Sequence, residues 1–330
     1  MFQQIIGYFN NIAFFNSLTF GIIAMVLVGA SWCLTGLIMG AAPKKGLEPS
    51  IIQLGGGLWS VLLSIVLLIA TGDYSTASPK ATFLTCLAYF TGTAMNFFML
   101  LIMSKAMQLG PNGIIWSIIQ SALIFPFLGG VVFFGVELTL LRGIGIVLLL
   151  LALALFALTK NNDAGNTGKS GSIVWKLLAF AGMLIAGTQQ NITTMPSYFE
   201  AAREVSSIVR TLSAAAGGLT MAIIWTLCKM SPEYRTLLKQ NIKNPTLWKY
   251  IVALQLSGLL FAYMLFYPGM NIMAARGLGG MCYPLMVGSC IVSFTLVSAI
   301  LLKEKLKILQ IAALVICVTG LCLICTGASR

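Results

Sequence analysis

Three adjacent amides, Gln189, Gln190 and Asn191, stand in an otherwise apolar stretch, followed by Thr193 and Thr194 and closed by Pro196. An amide donates and accepts at once, so such a cluster can hold hydroxyl groups without bringing a charge. A second set recurs four residues apart: Asn112, Trp116 and Gln120, with Ser117 and Ser121 beside them. On a helix this spacing gathers the hydrogen-bonding groups on one face. Asn96, Tyr263 and Tyr283 complete the candidate binding residues. The rings of Trp116 and Tyr283 could stack on the apolar face of a sugar-like ring while the amides take its hydroxyls, the usual make-up of a small-molecule site. Weaker polar stripes are Ser31 and Thr35 with Trp32, Gln53 with Ser60 and Ser64, and Gln255 with Tyr267. Isolated Ser and Thr are more simply read as bonds between packed helices.

The acids sit elsewhere. All eight (Glu48, Asp73, Glu137, Asp163, Glu200, Glu204, Glu233 and Glu304) fall in or beside the separators between apolar runs, and the chain has no His. A cationic solute would usually find a carboxylate inside the membrane, so a neutral hydrogen-bonding solute fits better. Proton carriage, if it operates, falls to acids at helix ends. Glu137, Glu200 and Glu304, with Arg203 and Arg210, are therefore the gate or coupling candidates. Simpler readings compete: Glu137 and Glu304 as first-turn acids favoured by a helix dipole, and the Glu200–Arg210 charges as surface pairs. No cluster of acids, His or Cys marks a catalytic or metal centre, and no cofactor is expected.

These groups need elements that cross a membrane. Apolar side chains make up 58% of the 330 residues and charged ones 8%, against about 25% charged in a soluble domain. That excludes a soluble enzyme, a disordered chain and a nucleic-acid binder, despite a net charge of +12. A hydrocarbon core of about 30 Å needs roughly 20 apolar residues of helix. Ten such runs are present: 17–40, 50–71, 81–104, 112–134, 139–159, 173–195, 205–228, 248–268, 278–302 and 307–327. They lack the period-two alternation of barrel strands, so helices are expected. The fifth and tenth runs are the most lipid-like and are expected to be peripheral. Odd-numbered connections hold fourteen Lys and Arg, even-numbered ones five. The excess predicts cytoplasmic odd connections and external termini, in a cell inner membrane. Residues 1–16 hold no basic residue; they lack the positive start of a secretory signal and are read as an interfacial segment.

Three motifs are set aside. Gly165–Ser170 imitates a phosphate loop but has Asp163 where the first Gly belongs; residues 160–172 read as a linker. Cys322 and Cys325 lie in an apolar helix, as small core residues do. The Asn191-Ile192-Thr193 sequon falls inside a span.

Residues 110–159 align without gaps on 277–326: Gly110 with Gly277, Trp116 with Tyr283, Glu137 with Glu304. Two five-helix units follow, 17–159 and 173–327. Five is odd, so the second unit enters the membrane from the opposite face, as in inverted-repeat carriers. The expected fold is an all-α membrane protein of ten transmembrane helices in two inverted five-helix repeats. With Leu301-Leu302-Lys303-Glu304-Lys305-Leu306 before the last apolar run, the chain resembles the drug/metabolite transporter superfamily, EamA-like ten-helix carriers. Residues 265–270 (Leu-Phe-Tyr-Pro-Gly-Met), Tyr283, Lys303-Glu304 and 110–135 resemble its L-rhamnose–proton symporter branch more weakly. The resemblance implies a secondary active transporter of a small neutral polar solute, foremost a sugar, working by alternating access as a monomer. The coupling ion it implies is H+, with Na+ the alternative. The rival reading is an exporter of amino acids or other small metabolites, for which Lys105 or Arg276 would supply a charge.

Overall fold

The computed structural model describes residues 16–161, 173–301 and 308–325; every regular element among them is helical. Among the described residues, nine helices are long and apolar enough to cross a membrane, which makes the chain a multi-pass membrane protein. In chain order the elements are α1 (Leu18–Ala41), α2 (Pro49–Thr71), α3 (Pro79–Leu109), α4 (Asn112–Gln120), α5 (Ile124–Phe134) and α6 (Leu140–Asn161). They continue with α7 (Ile173–Thr194), α8 (Ser207–Cys228), α9 (Pro232–Lys243), α10 (Pro245–Gln255), α11 (Tyr267–Ala275), α12 (Cys282–Leu301) and α13 (Ile308–Cys325).

The starts and stops are local. Ser17, Ser78, Ser206 and Ser231 each accept a backbone N–H of the first turn they cap, as Ser does at an N-cap. Pro49, Pro79, Pro232 and Pro245 open their helices, where the missing N–H costs nothing. Gly72 and Gly135 end α2 and α5 with φ of 60° and 65°, a left-handed turn that favours glycine.

Three elements differ from the sequence expectation. The sixth run forms α7, 22 residues long, but its amides leave it outside the nine apolar spans. The basic connection before the eighth run is no plain loop: it contains α9, with Glu233 in its first turn and Lys243 in its last. The eighth run extends to Ala275 within one span, Pro245–Ala275. Two π turns, Leu256–Leu260 and Ala262–Phe266, interrupt it before Pro268. The wider π turn gives room where the proline ring would meet the carbonyl of residue 264.

Glycine contacts set the helix pairs. α6 runs along α13, where a side chain on Gly145 would meet the Gly320 carbonyl. α1 runs along α12 with Gly29 against Met286, and α3 along α8 with Gly217 against the Phe90 carbonyl. α3 also packs on α7 through Gly92 and Thr193, and α2 on α8 through Gly57 and Leu219. α4 and α5 pack on α7, where Gly187 faces Phe125, and α1 packs on the Leu256–Ala275 stretch, where Gly21 faces Met273. Small residues of this kind let apolar helices approach closely in lipid. Leu, Ile and Phe side chains cover the outside, among them Ile69, Phe133 and Leu140.

Candidate functional site

A cavity of about 370 Å³ opens between the helices. Its wall takes Trp32 and Thr35 from α1, Gln53 and Ser60 from α2, Tyr89 and Asn96 from α3, and Trp116 and Gln120 from α4. α7 adds Gln189, Gln190 and Thr193, α8 adds Thr211, and α12 adds Tyr283. Gln255, Phe266 and Tyr267 come from the helix broken by π turns. Neither α6 nor α13 reaches the wall, and no described lining residue is charged.

The two ends of the cavity differ in chemistry. One end is aromatic. Trp32 lies 6.0 Å from Tyr283 and 6.4 Å from Phe266, and Tyr89 meets Tyr267 edge-on at 4.8 Å. The Tyr283 hydroxyl shares a 2.7 Å hydrogen bond with Thr193, so its ring is fixed in place. The other end is amide-rich. Gln255 accepts from Ser60 at 2.6 Å and donates to the Gly56 carbonyl at 2.9 Å. Gln120 donates weakly to the Cys290 sulfur at 3.7 Å. Trp116 lies flat over Gly36, where a β-carbon would stand 3.0 Å from the indole, and stacks on Phe294.

Besides the Tyr89 hydroxyl, three buried polar atoms of wall residues have no hydrogen-bond partner: Gln53 Nε2, Trp116 Nε1 and Gln190 Oε1. Two donate and one accepts. Leaving such groups unmet costs on the order of 1–3 kcal/mol each, which a ligand able both to accept and to donate would recover.

Of the expected binding residues, Asn96, Trp116, Gln120, Gln189, Gln190 and Tyr283 come together on the wall. Asn191 does not. One helical position beyond Gln190, it donates to the Gly187 carbonyl at 3.1 Å and lies against Gly129 of α5. Tyr263, within the second π turn, also lies off the wall. The gate candidates divide in the same way. Glu200 and Glu137 are exposed, and no acid falls in the first turn of α6; the backbone carbonyl of Glu137 instead accepts from Arg142 at 2.9 Å. Glu304 lies outside the described residues. Arg203 donates to the Ser197 carbonyl at 3.3 Å, and Arg210 to Asn271 and the Ala202 carbonyl. The expected pairing of these arginines with Glu200 and Glu204 is therefore corrected: the arginines turn inward to carbonyls, while the acids face out. Lys105 and Arg276 are exposed and off the wall.

Sequence reasoning passed over Tyr89. Its signal was spacing: Tyr89, Thr93 and Asn96 fall on one face of α3, and all three line the cavity.

Among the described residues, fold and site together define an all-helical, multi-pass membrane protein built around an uncharged cavity. No family model matches the chain, and no curated protein matches it. Solved structures do: one crystal structure of a protein superposes at a TM-score of 0.64, with 16% identity over 95% of this chain and 99% of that one. At that identity the likeness is one of fold.

Proposed function

We propose that the chain is a secondary active transporter of a small neutral polar solute, foremost a sugar, moved by alternating access. The observation that carries this reading is the wall itself: uncharged, with unmet donors and an unmet acceptor beside stacked aromatic rings. A sugar hydroxyl both donates and accepts, and a sugar ring offers an apolar face to Trp32, Trp116 or Tyr283.

The proposal includes ten spans, with α7 as the sixth, in two inverted five-helix units. Counting spans from one to ten, an inverted repeat exchanges each span with the one five places on. The helix packing supports that reading. Span one packs on nine as six packs on four, and three packs on six as eight packs on one. Two on seven and five on ten each map onto themselves. Such a carrier works by rocking one unit against the other around a central site. The likeness to the drug/metabolite transporter superfamily, and more weakly to its rhamnose–proton symporter branch, supports the same reading.

The rival, an amino-acid or metabolite exporter, wants a charge on the wall to meet a carboxylate, and the described wall offers none. The deciding experiment is uptake of radiolabelled solutes by vesicles holding the purified chain, across a panel of sugars and amino acids. Saturable sugar uptake is expected. Uptake of amino acids alone would replace this reading with its rival.

A further inference from the structure

Behind the aromatic end of the cavity lies a charge that the wall hides. Arg210 is 0% exposed, the largest fully buried residue among those described. One terminal nitrogen donates to Asn271 at 2.9 Å and the other to the Ala202 carbonyl at 2.6 Å. The rings of Tyr89 and Tyr267 stand 6.0 and 5.9 Å from its central carbon. Every one of these partners is neutral, and no described carboxylate pairs with it. Its Nε–H finds no acceptor.

Two hydroxyls beside it are in the same condition. The Tyr89 hydroxyl lies within hydrogen-bonding reach of both Ser197 and Arg210, but at a geometry too poor to complete a bond, so neither hydroxyl is satisfied. Ser197 is itself 0% exposed. Position adds to the imbalance. Arg210 stands in the first turns of α8, a 22-residue helix beginning at Ser207, where the helix dipole favours negative charge and disfavours a cation. A buried, unneutralised cation is expensive, and three unmet donors around it ask for an acceptor that carries charge.

We propose that Arg210, Tyr89 and Ser197 form a binding site for a small monovalent anion, a halide or a carboxylate, at the closed end of the cavity. Tyr89 belongs to both places, its ring on the cavity wall and its hydroxyl toward the anion. The site goes beyond the transport reading and does not depend on it, because its occupancy is an equilibrium property of the folded chain.

The test is thermal unfolding of the purified full chain in detergent at fixed ionic strength, with methanesulfonate replaced stepwise by chloride or, separately, by formate. A saturable rise in Tm is expected, since a ligand that binds only the folded chain stabilises it by mass action. Response to both anions marks a shared site; response to formate alone marks a carboxylate site, and to chloride alone a halide site. The source of the anion is read by competition. A carboxylate-bearing solute that displaces chloride would bring its own anion, whereas a sugar whose effect adds to that of chloride leaves the site to a free ion. Arg210→Gln should abolish the response. Because that change also removes the Ala202 and Asn271 bonds, the Tyr89→Phe, Ser197→Ala double variant is the companion test, expected to weaken anion affinity about a hundredfold or more by loss of two hydrogen bonds to a charge. A Tm indifferent to anion identity, or an unchanged affinity in the double variant, overturns the proposal.

Discussion

Gln190 and Asn191 are neighbours of the same chemical type with opposite surroundings. Gln190 is buried on the cavity wall with its Oε1 unmet, while Asn191 is bonded within α7 and wedged against Gly129. Gln190→Ala is therefore expected to lower uptake by about tenfold or more at unchanged expression, the scale of one lost hydrogen bond to a polar solute. Asn191→Ala should cost about 1 kcal/mol of stability, as interhelical polar contacts in membranes do, and leave solute affinity in place. Equal uptake by the two variants would dissolve this distinction. Lys105→Gln removes a charge that is exposed and off the wall, so transport of a neutral solute should not respond; a large loss would point to a charged solute.

At the scale of elements, contacts between glycine and a backbone carbonyl make α3 and α8 a close pair. A side chain at Gly217 would overlap the Phe90 carbonyl, which cannot yield as a flexible side chain can. Gly217→Val is expected to cost about 1–3 kcal/mol or more and to spread α3 from α8, read as a fall in Tm with reduced yield. The helix broken by π turns behaves differently. Its wall residues Gln255, Ser257, Gly258 and Phe266 lie in or beside the two π turns, and π geometry is often found at functional positions. Amides of Leu256–Phe266 should exchange with deuterium faster than those of α10 or α11. Equal protection along Pro245–Ala275 would show the stretch to be as firm as an ordinary helix.

For the whole molecule, the expected orientation puts Lys44 in the cytoplasm and Thr76 outside. With Cys228 and Cys322, the two exposed native thiols, changed to Ser, Lys44→Cys should react only with reagent reaching the cytoplasmic face and Thr76→Cys only from outside. Reversed labelling would invert the topology. In that orientation the cavity extends toward the cytoplasm, since its wall reaches Met39 near the end of α1 and Ile52 near the start of α2. The opposite side is packed shut, with Tyr198 stacked on Phe134 at 4.0 Å and set against Gly279. Proton coupling is tested on intact cells: added solute should raise external pH, and a flat trace would leave Na+ coupling or facilitation.

Much of this was legible in the chain because the bilayer imposes one-dimensional rules. A span must be long and apolar and must pair its own backbone groups, so the helices and the peripheral place of α6 and α13 follow from residue order. Polar groups at four-residue spacing likewise announced the face of α4. What order could not settle was facing and depth. Adjacent residues on a helix are turned about 100° from one another, so only the position of α5 decided that Asn191 meets Gly129 while Gln190 meets the cavity. Arg210 reads as a surface charge from its place beside a connection; the fold buried it, because the Ala202 carbonyl and Asn271 arrive there from segments distant in sequence or turned back by the chain. Burial and counter-charge are properties of what surrounds a residue in three dimensions, and those neighbours exist only once the helices have packed.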